Sequence, residues 1–407
     1  MTAQAFNFEI SEQLRADLHT WRSRASGVGA LGLLVVLAAW FVAPAQFYRS
    51  YLWAYIFFVG ISAGCMAWLM LQHLSGGAWG LVIRRPAEAA ARTLPLLALL
   101  FIPIAIGIPR LYSWSHADIV AADPILKNKQ IYLNTPFFLV RAALYLGGWS
   151  FLGWYFSRWS AVEDREGPMP AERKMARMSG PGLIFWGFGV TFMAIDWVMS
   201  LNAHWFSTMF GLLFIAGQGL SSIAFLITLL VLLSYRRPMA EILTPRHLHD
   251  IGKLMLANVM VWAYFSFSQW LIIWAGNLPE EIPWYVERLK GGWQYVAFVL
   301  IIGHFALPFC LLLSRDLKRN FKLLASISVF VLAMRIVDVY WQVMPDAALG
   351  VPGSAPSSVP LGVSWVDLAA FVGLGGVWLA YFLVQLEKRP LMPINSADLV
   401  ETMEHGR

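Results

Sequence analysis

SGPGLIFWGFGVTFMAIDWVMSLNAHWFSTMFGLLFIAGQGLSS, running from Ser179 to Ser222, is the stretch on which the reading of this chain turns. Two apolar runs flank a short polar turn at Asn202, Ala203 and His204. Near the end of the first run stands Asp196, with Trp197 beside it and Trp205 across the turn. A carboxylate at mid-bilayer costs about 2.5–3.5 kcal/mol on insertion scales, and less towards the interface. Such a residue needs a partner or a task, so the question is what Asp196 meets.

The rest of the chain makes the bilayer the right solvent to reason with. Of its 407 residues 58% are hydrophobic and 13% charged, and mean hydropathy is +0.60. Soluble domains carry about 25% charged residues, so the composition predicts an all-α integral membrane protein. The net charge of +6 does not point to nucleic acid, because the bases lie in short loops between apolar runs. Cys65 and Cys310 both sit inside apolar runs and are expected to be small buried hydrophobes. Two thiols are too few for an iron–sulfur cluster or a structural zinc site, each of which usually needs about four ligands. The first 26 residues mix Glu9, Glu12 and Asp17 with Arg15, Arg22 and Arg24. That is too long and too acidic for a signal-peptide start, so the first helix is expected to stay uncleaved.

A spanning helix needs about 20 apolar residues. Ten runs qualify, at 27–43, 51–74, 94–109, 136–157, 180–200, 205–234, 251–275, 292–313, 321–342 and 364–385. Connections on the side of the N-terminus carry 21 Lys and Arg, those on the other side 6, which predicts both termini cytoplasmic. Short internal matches suggest a repeat four helices long. Ser157-Arg158 ends helix 4 as Ser314-Arg315 ends helix 8, Ala63-Gly64 answers Ala216-Gly217, and the MAIDW of helix 5 answers the MRIVD of helix 9. An even offset keeps the two halves in one orientation, related about the membrane normal. The expected organisation is therefore a cytoplasmic tail (1–26), a first helix and loop (27–50) and two four-helix bundles (51–204 and 205–342). A periplasmic Pro/Gly/Ser-rich loop (343–363), a tenth helix (364–385) and a second cytoplasmic tail (386–407) follow. Gly60 and Gly64, and the glycines at 180, 182, 187 and 189, are expected to let helices pack closely.

Within the spans few residues are polar. Arg141 lies about 8 Å below the outer face at 1.5 Å per residue, and Asp196 lies at matched depth on the neighbouring antiparallel helix. The two can meet, as a structural lock or as a proton or quinone site. Arg335 and Asp338 are spaced to share a helix face and pair locally. His304 is the deepest titratable group, and Pro308 four residues on cannot donate to its carbonyl, which opens the helix there. Gln218, Asn258 and Gln269 read as polar glue between helices, and His73 as interfacial. His73 and His304 lie at different depths and no CxxCH occurs, so no haem and no cluster is expected in this chain. Any electron transfer it joins then depends on partner subunits.

RTLPLLALLFIPI (92–104), KQIYLNTPFFLVRAALY (129–145), SGPGLIFWGFGVTFMAIDWVMSLNAHWFSTMFGLLFIAGQ (179–218) and GGWQYVAFVLIIGHFALPF (291–309) resemble the polysulfide-reductase/NrfD-like membrane family, most closely the F subunits of bacterial alternative complex III. The resemblance runs over nearly the whole chain, and IDWVMSL–HWFST is its most specific part. It implies two four-helix bundles with flanking helices, in a bacterial inner-membrane quinol:electron-acceptor oxidoreductase. The partners implied are a homologous NrfD-like C subunit, to which quinol oxidation is mainly attributed, a periplasmic iron–sulfur subunit, multihaem cytochrome c subunits and small membrane subunits. The intramembrane ionisable residues Arg141, Asp196, His204, His304, Arg335 and Asp338 are the candidates for a proton path. The resemblance also implies a quinone (menaquinone-type) site at Arg141, Asp196, Trp197 and His204. A secondary transporter with two parallel repeats, or a purely structural scaffold, fits the same residues.

Overall fold

The computed structural model describes residues 8–347 and 360–404. Among the described residues the chain is helical with no strand, and ten helices are long and apolar enough to cross a membrane. They are α1 (Glu12–Val42), α2 (Pro44–Ser75), α3 (Ala78–Ile106), α4 (Thr135–Glu166) and α5 (Ala171–Asn202). Then come α6 (Phe210–Leu233), α7 (Pro245–Gly276), α8 (Trp293–Leu313), α9 (Phe321–Asp346) and α10 (Trp365–Glu387).

The expected spans are present, and several extend past their predicted ends. α1 begins 15 residues before the apolar run, capped by Ser11, which accepts from the Leu14 N–H at 3.3 Å. Its polar first turns are tied at Asp17 to Arg236 (2.8 Å) and at Arg22 to Glu387 (2.8 Å). Hydropathy marks only the apolar part of a helix, so residues 12–26 of the predicted tail are helix. The predicted 75–93 loop is likewise a buried helical part of α3. α3 restarts at Leu94 and Ile102, each time with a proline, Pro95 or Pro103, in the new first turn, where a missing N–H does no harm. The predicted loop at 343–363 begins late, because the ninth helix continues to Ala347; 348–359 lie outside the described residues.

α2 is the axis of the molecule. It is apolar all round, as a fully enclosed helix must be, and 94% of its most apolar window is buried. It packs against α3, α5, α6, α9 and α10. Gly64 lets α6 approach, since a Cβ there would lie 2.4 Å from the Gln218 carbonyl oxygen. In α5 only half of the expected glycines do this. A Cβ on Gly182 would meet Met70 at 2.6 Å and one on Gly189 would meet Trp149 at 3.1 Å, but Gly180 and Gly187 face open space.

α1 rides on α10 with the two backbones in contact. A Cβ on Gly32 would lie 2.6 Å from the Gly373 nitrogen, and one on Gly376 would lie 2.4 Å from the Gly29 Cα. Neither obstacle is a side chain that can swing aside. Gly32→Leu is therefore expected to destabilise the purified chain by about 1–3 kcal/mol or more, as overpacking does. Gly187→Ala, in open space, should be neutral. Thermal unfolding in detergent checks both, and equal midpoints for the two variants would contradict the crossing.

Candidate functional site

Two of the buried charged centres are built from residues that the sequence singles out. The first joins α4 to α5. Arg141 donates through Nε to Asp196 Oδ2 at 2.8 Å and through a terminal nitrogen to Oδ1 at 2.9 Å, the two-pronged geometry for which guanidinium and carboxylate are matched. The Tyr145 hydroxyl donates to the same Oδ2 at 2.8 Å. The third edge of Arg141 donates to the Tyr132 carbonyl at 2.9 Å, and its plane lies over the Tyr132 and Phe137 rings at 3.8 and 4.3 Å. Every oxygen of Asp196 is thus engaged by this chain's own donors, and the carboxylate is fully buried. Trp197 is also buried and packs on Phe101 at 4.9 Å, while its carbonyl accepts from the Tyr112 hydroxyl at 2.9 Å. Burial, and after it the charge of Asp196, holds the Tyr112 phenol well above its ordinary pKa, so it stays a donor.

The second centre lies between α6, α7, α8 and α9. Arg335 and Asp338 pair within α9, as their spacing predicts. Asp338 accepts further from the Trp262 indole N–H at 3.0 Å and from the Gln342 amide at 3.0 Å. The Arg335 guanidinium fits here because α6 presents Gly217, where a Cβ would come within 2.4 Å of it. His304 lies edge-on to Trp262 with ring centres 4.0 Å apart. It is fully buried, and neither ring nitrogen has a hydrogen-bond partner among the described residues. The helix is widened at this point: Leu300–Ala306 forms a π turn, in which the Leu307 N–H bonds the Ile302 carbonyl five residues back. Pro308, with no N–H to give, stands just beyond it. Such widened turns are rare and recur at functional sites.

His204 does not join Asp196. It lies on the exposed turn and meets Asp123 at 2.5 Å, while Lys129 donates to the adjacent Ala203 carbonyl at 2.6 Å. The grouping expected from sequence fails because the long 107–134 connection, which carries Asp123 and Lys129, folds over the 202–204 turn. Burial raises the Asp123 pKa, but the hydrogen bonds from His204 and the Leu126 and Ile125 N–H groups outweigh it and hold the carboxyl below its ordinary range. Its share of stability is therefore complete at neutral pH and is lost only as pH falls through that lowered value. Three further expectations are corrected. Cys310 is exposed rather than buried. The Gln218 amide has no partner among the described residues, and Asn258 bonds its own helix at the Leu254 carbonyl (2.9 Å). Gln269 does act between elements, accepting from Ser207 at 3.2 Å.

Three sites were missed in the sequence. Arg84, on α3, pairs with Glu163 of α4 and with Glu88, while Arg85 bonds Glu88 at 2.9 Å and Asp164 at 2.5 Å, nearly all of it out of solvent. Their signal was the RRxxE spacing within 84–88. At the opposite end Arg288 pairs with Asp346 at 2.6 Å and stacks on Trp284 at 3.5 Å. Asp367 at the start of α10 collects the Ser50 hydroxyl (2.5 Å) and the Tyr340 hydroxyl (3.0 Å).

No family model and no curated protein matches this chain, so the functional argument rests on the arrangement of these residues. Asp196→Asn should cost about 3–5 kcal/mol, because Arg141 is left buried without its counter-charge. Tyr145→Phe removes one donor and keeps the pair, and should cost only about 1 kcal/mol. Thermal unfolding in detergent measures both, and a wild-type midpoint for Asp196→Asn would show that the pair contributes nothing.

Proposed function

We propose that this chain is a membrane subunit of a bacterial quinol:electron-acceptor oxidoreductase of the alternative complex III type, and that it carries part of a proton path. In this reading it spans the cytoplasmic membrane ten times with both termini inside, as two four-helix bundles and two flanking helices. Its partners are the homologous C subunit, the periplasmic iron–sulfur subunit, the multihaem cytochrome c subunits and small membrane subunits. The sequence resemblance supports the assembly, and the buried centres support the role.

The observation that carries the role is the uncommitted His304. An imidazole serves in proton transfer because its pKa lies near neutrality and its two nitrogens can each donate or accept. Among the described residues neither nitrogen of His304 has a partner, and the Arg335/Asp338 pair, whose charge a nearby proton would perturb, stands beside it. Buried ionisable groups in apolar helices are costly and usually mark ion or proton pathways. A quinone site at Arg141, Asp196, Trp197 and His204 has less support. Asp196 already has its donors, Trp197 is packed among aromatic rings, and His204 turns to Asp123.

His304→Gln and His304→Leu, in the assembled complex in vesicles, test the role. Quinol-driven electron transfer should continue at a rate close to wild type, while protons moved per electron fall. An unchanged proton ratio removes His304 from the path. Lost electron transfer with normal assembly moves the quinol site into this chain.

A further inference from the structure

At the end of the molecule where α3, α4 and α10 converge lies a cavity of about 320 Å3. That is within the range of clefts that hold small ligands, about 300–1,000 Å3. Four bases line it, Arg92, Arg158, Lys388 and Arg389, and no carboxylate does. Among the described residues Arg92, Arg158 and Lys388 have no ion-pair partner, and Arg389 reaches only Glu88, at 3.5 Å. Glu88 is already held by Arg84 and Arg85. The wall also offers the hydroxyls of Ser150 and Ser157. Burial, and then the charge of Arg92, lowers the Lys388 pKa, so these two bases crowd one another.

The pocket continues into apolar surface. Pro95 lines it and begins an exposed stripe through Leu99, Ile102 and Ile106 on α3. Trp154 lines it and begins another on α4, through Phe151 and Leu144. The spacings of three, four and seven residues keep each stripe on one helix face. A hydrophilic inorganic anion has no use for two apolar tracks. A molecule with an anionic head and two hydrocarbon chains uses both features.

We propose that this pocket is a binding site for the phosphodiester headgroup of an anionic glycerophospholipid, with the acyl chains laid along the α3 and α4 stripes. This rests on the membrane reading above and gives Ser157-Arg158 a role: Arg158 contacts the phosphate and Ser157 donates to it. Basic pockets between membrane helices are the recognised chemistry for such lipids.

The full-length chain, extracted from membranes in mild detergent, is titrated with phosphatidylglycerol, phosphatidylcholine or inorganic phosphate, and bound lipid is read by native mass spectrometry. Phosphatidylglycerol should be retained over phosphatidylcholine, and inorganic phosphate should not displace it. Neutralising Arg92 and Lys388 together (R92Q/K388Q) should lower retention by about fivefold per base removed. R237Q, at an exposed base, should leave retention unchanged. Equal retention of the two lipids overturns the proposal, as does retention unaffected by R92Q/K388Q. Displacement by inorganic phosphate makes this a free-anion site and also overturns it. If R92Q/K388Q does not purify as a single species, the wild-type competition decides alone. Release of the chain from membranes by alkaline carbonate would overturn the membrane reading itself, an outcome distinct from a membrane-bound chain with no lipid preference.

Discussion

The cost of placing a charge among apolar helices governs this molecule. An unpaired ion taken from water loses several kcal/mol even after relaxation, and a well-bonded counter-ion recovers most of it. The buried arginines obey that constraint in four separate places. Arg84 and Arg85 meet Glu163, Glu88 and Asp164; Arg141 meets Asp196; Arg288 meets Asp346; Arg335 meets Asp338. Three of these clusters bridge elements distant in sequence, so satisfying the charge also dictates which helices touch. The exception is Arg335, which takes its counter-ion from its own helix, while α7 adds the Trp262 indole N–H to the same carboxylate.

Close packing around α2 supplies the second constraint. An enclosed helix must be covered on every side, and its neighbours come near only where a side chain is missing. Gly64 under the Gln218 carbonyl and Gly182 under Met70 are two such positions, and between α6 and α9 Gly217 does the same for the Arg335 guanidinium. The last one matters for chemistry, because the space that a Cβ would fill is where the guanidinium sits. A small residue thus places a charge, in addition to bringing two helices together.

What could be read in the sequence follows the range of the interaction. Arg335 with Asp338 is written in a spacing of three. Arg141 with Asp196 needs only that consecutive helices run antiparallel and that depth follows from counting residues. Arg84 and Arg85 were hidden because hydropathy averages a buried RRP into a loop, and beyond Glu88 their counter-ions Glu163 and Asp164 lie in α4, each 79 residues later. The α1–α10 crossing was hidden for the same reason: Gly29 and Gly32 meet Gly373 and Gly376 across almost the whole chain. His204 was misassigned since depth along a helix says nothing about a connection that folds back over a turn.

The two centres differ in a way that bears on which of them suits the proposed proton path. At Asp196 the donors are complete: Arg141 gives two hydrogen bonds and Tyr145 a third, and the guanidinium is itself stacked and bonded to the Tyr132 carbonyl. A centre with every position filled resists a change of protonation, because any new proton displaces an existing bond; that is the behaviour of a lock between α4 and α5. At His304 the ring touches Trp262 and stands near Arg335, and among the described residues neither nitrogen has a partner. The π turn just before Pro308 adds a departure from regular helix at the same place. A buried ring with both nitrogens open to a donor or an acceptor suits the accepting and releasing of a proton in the proposed path.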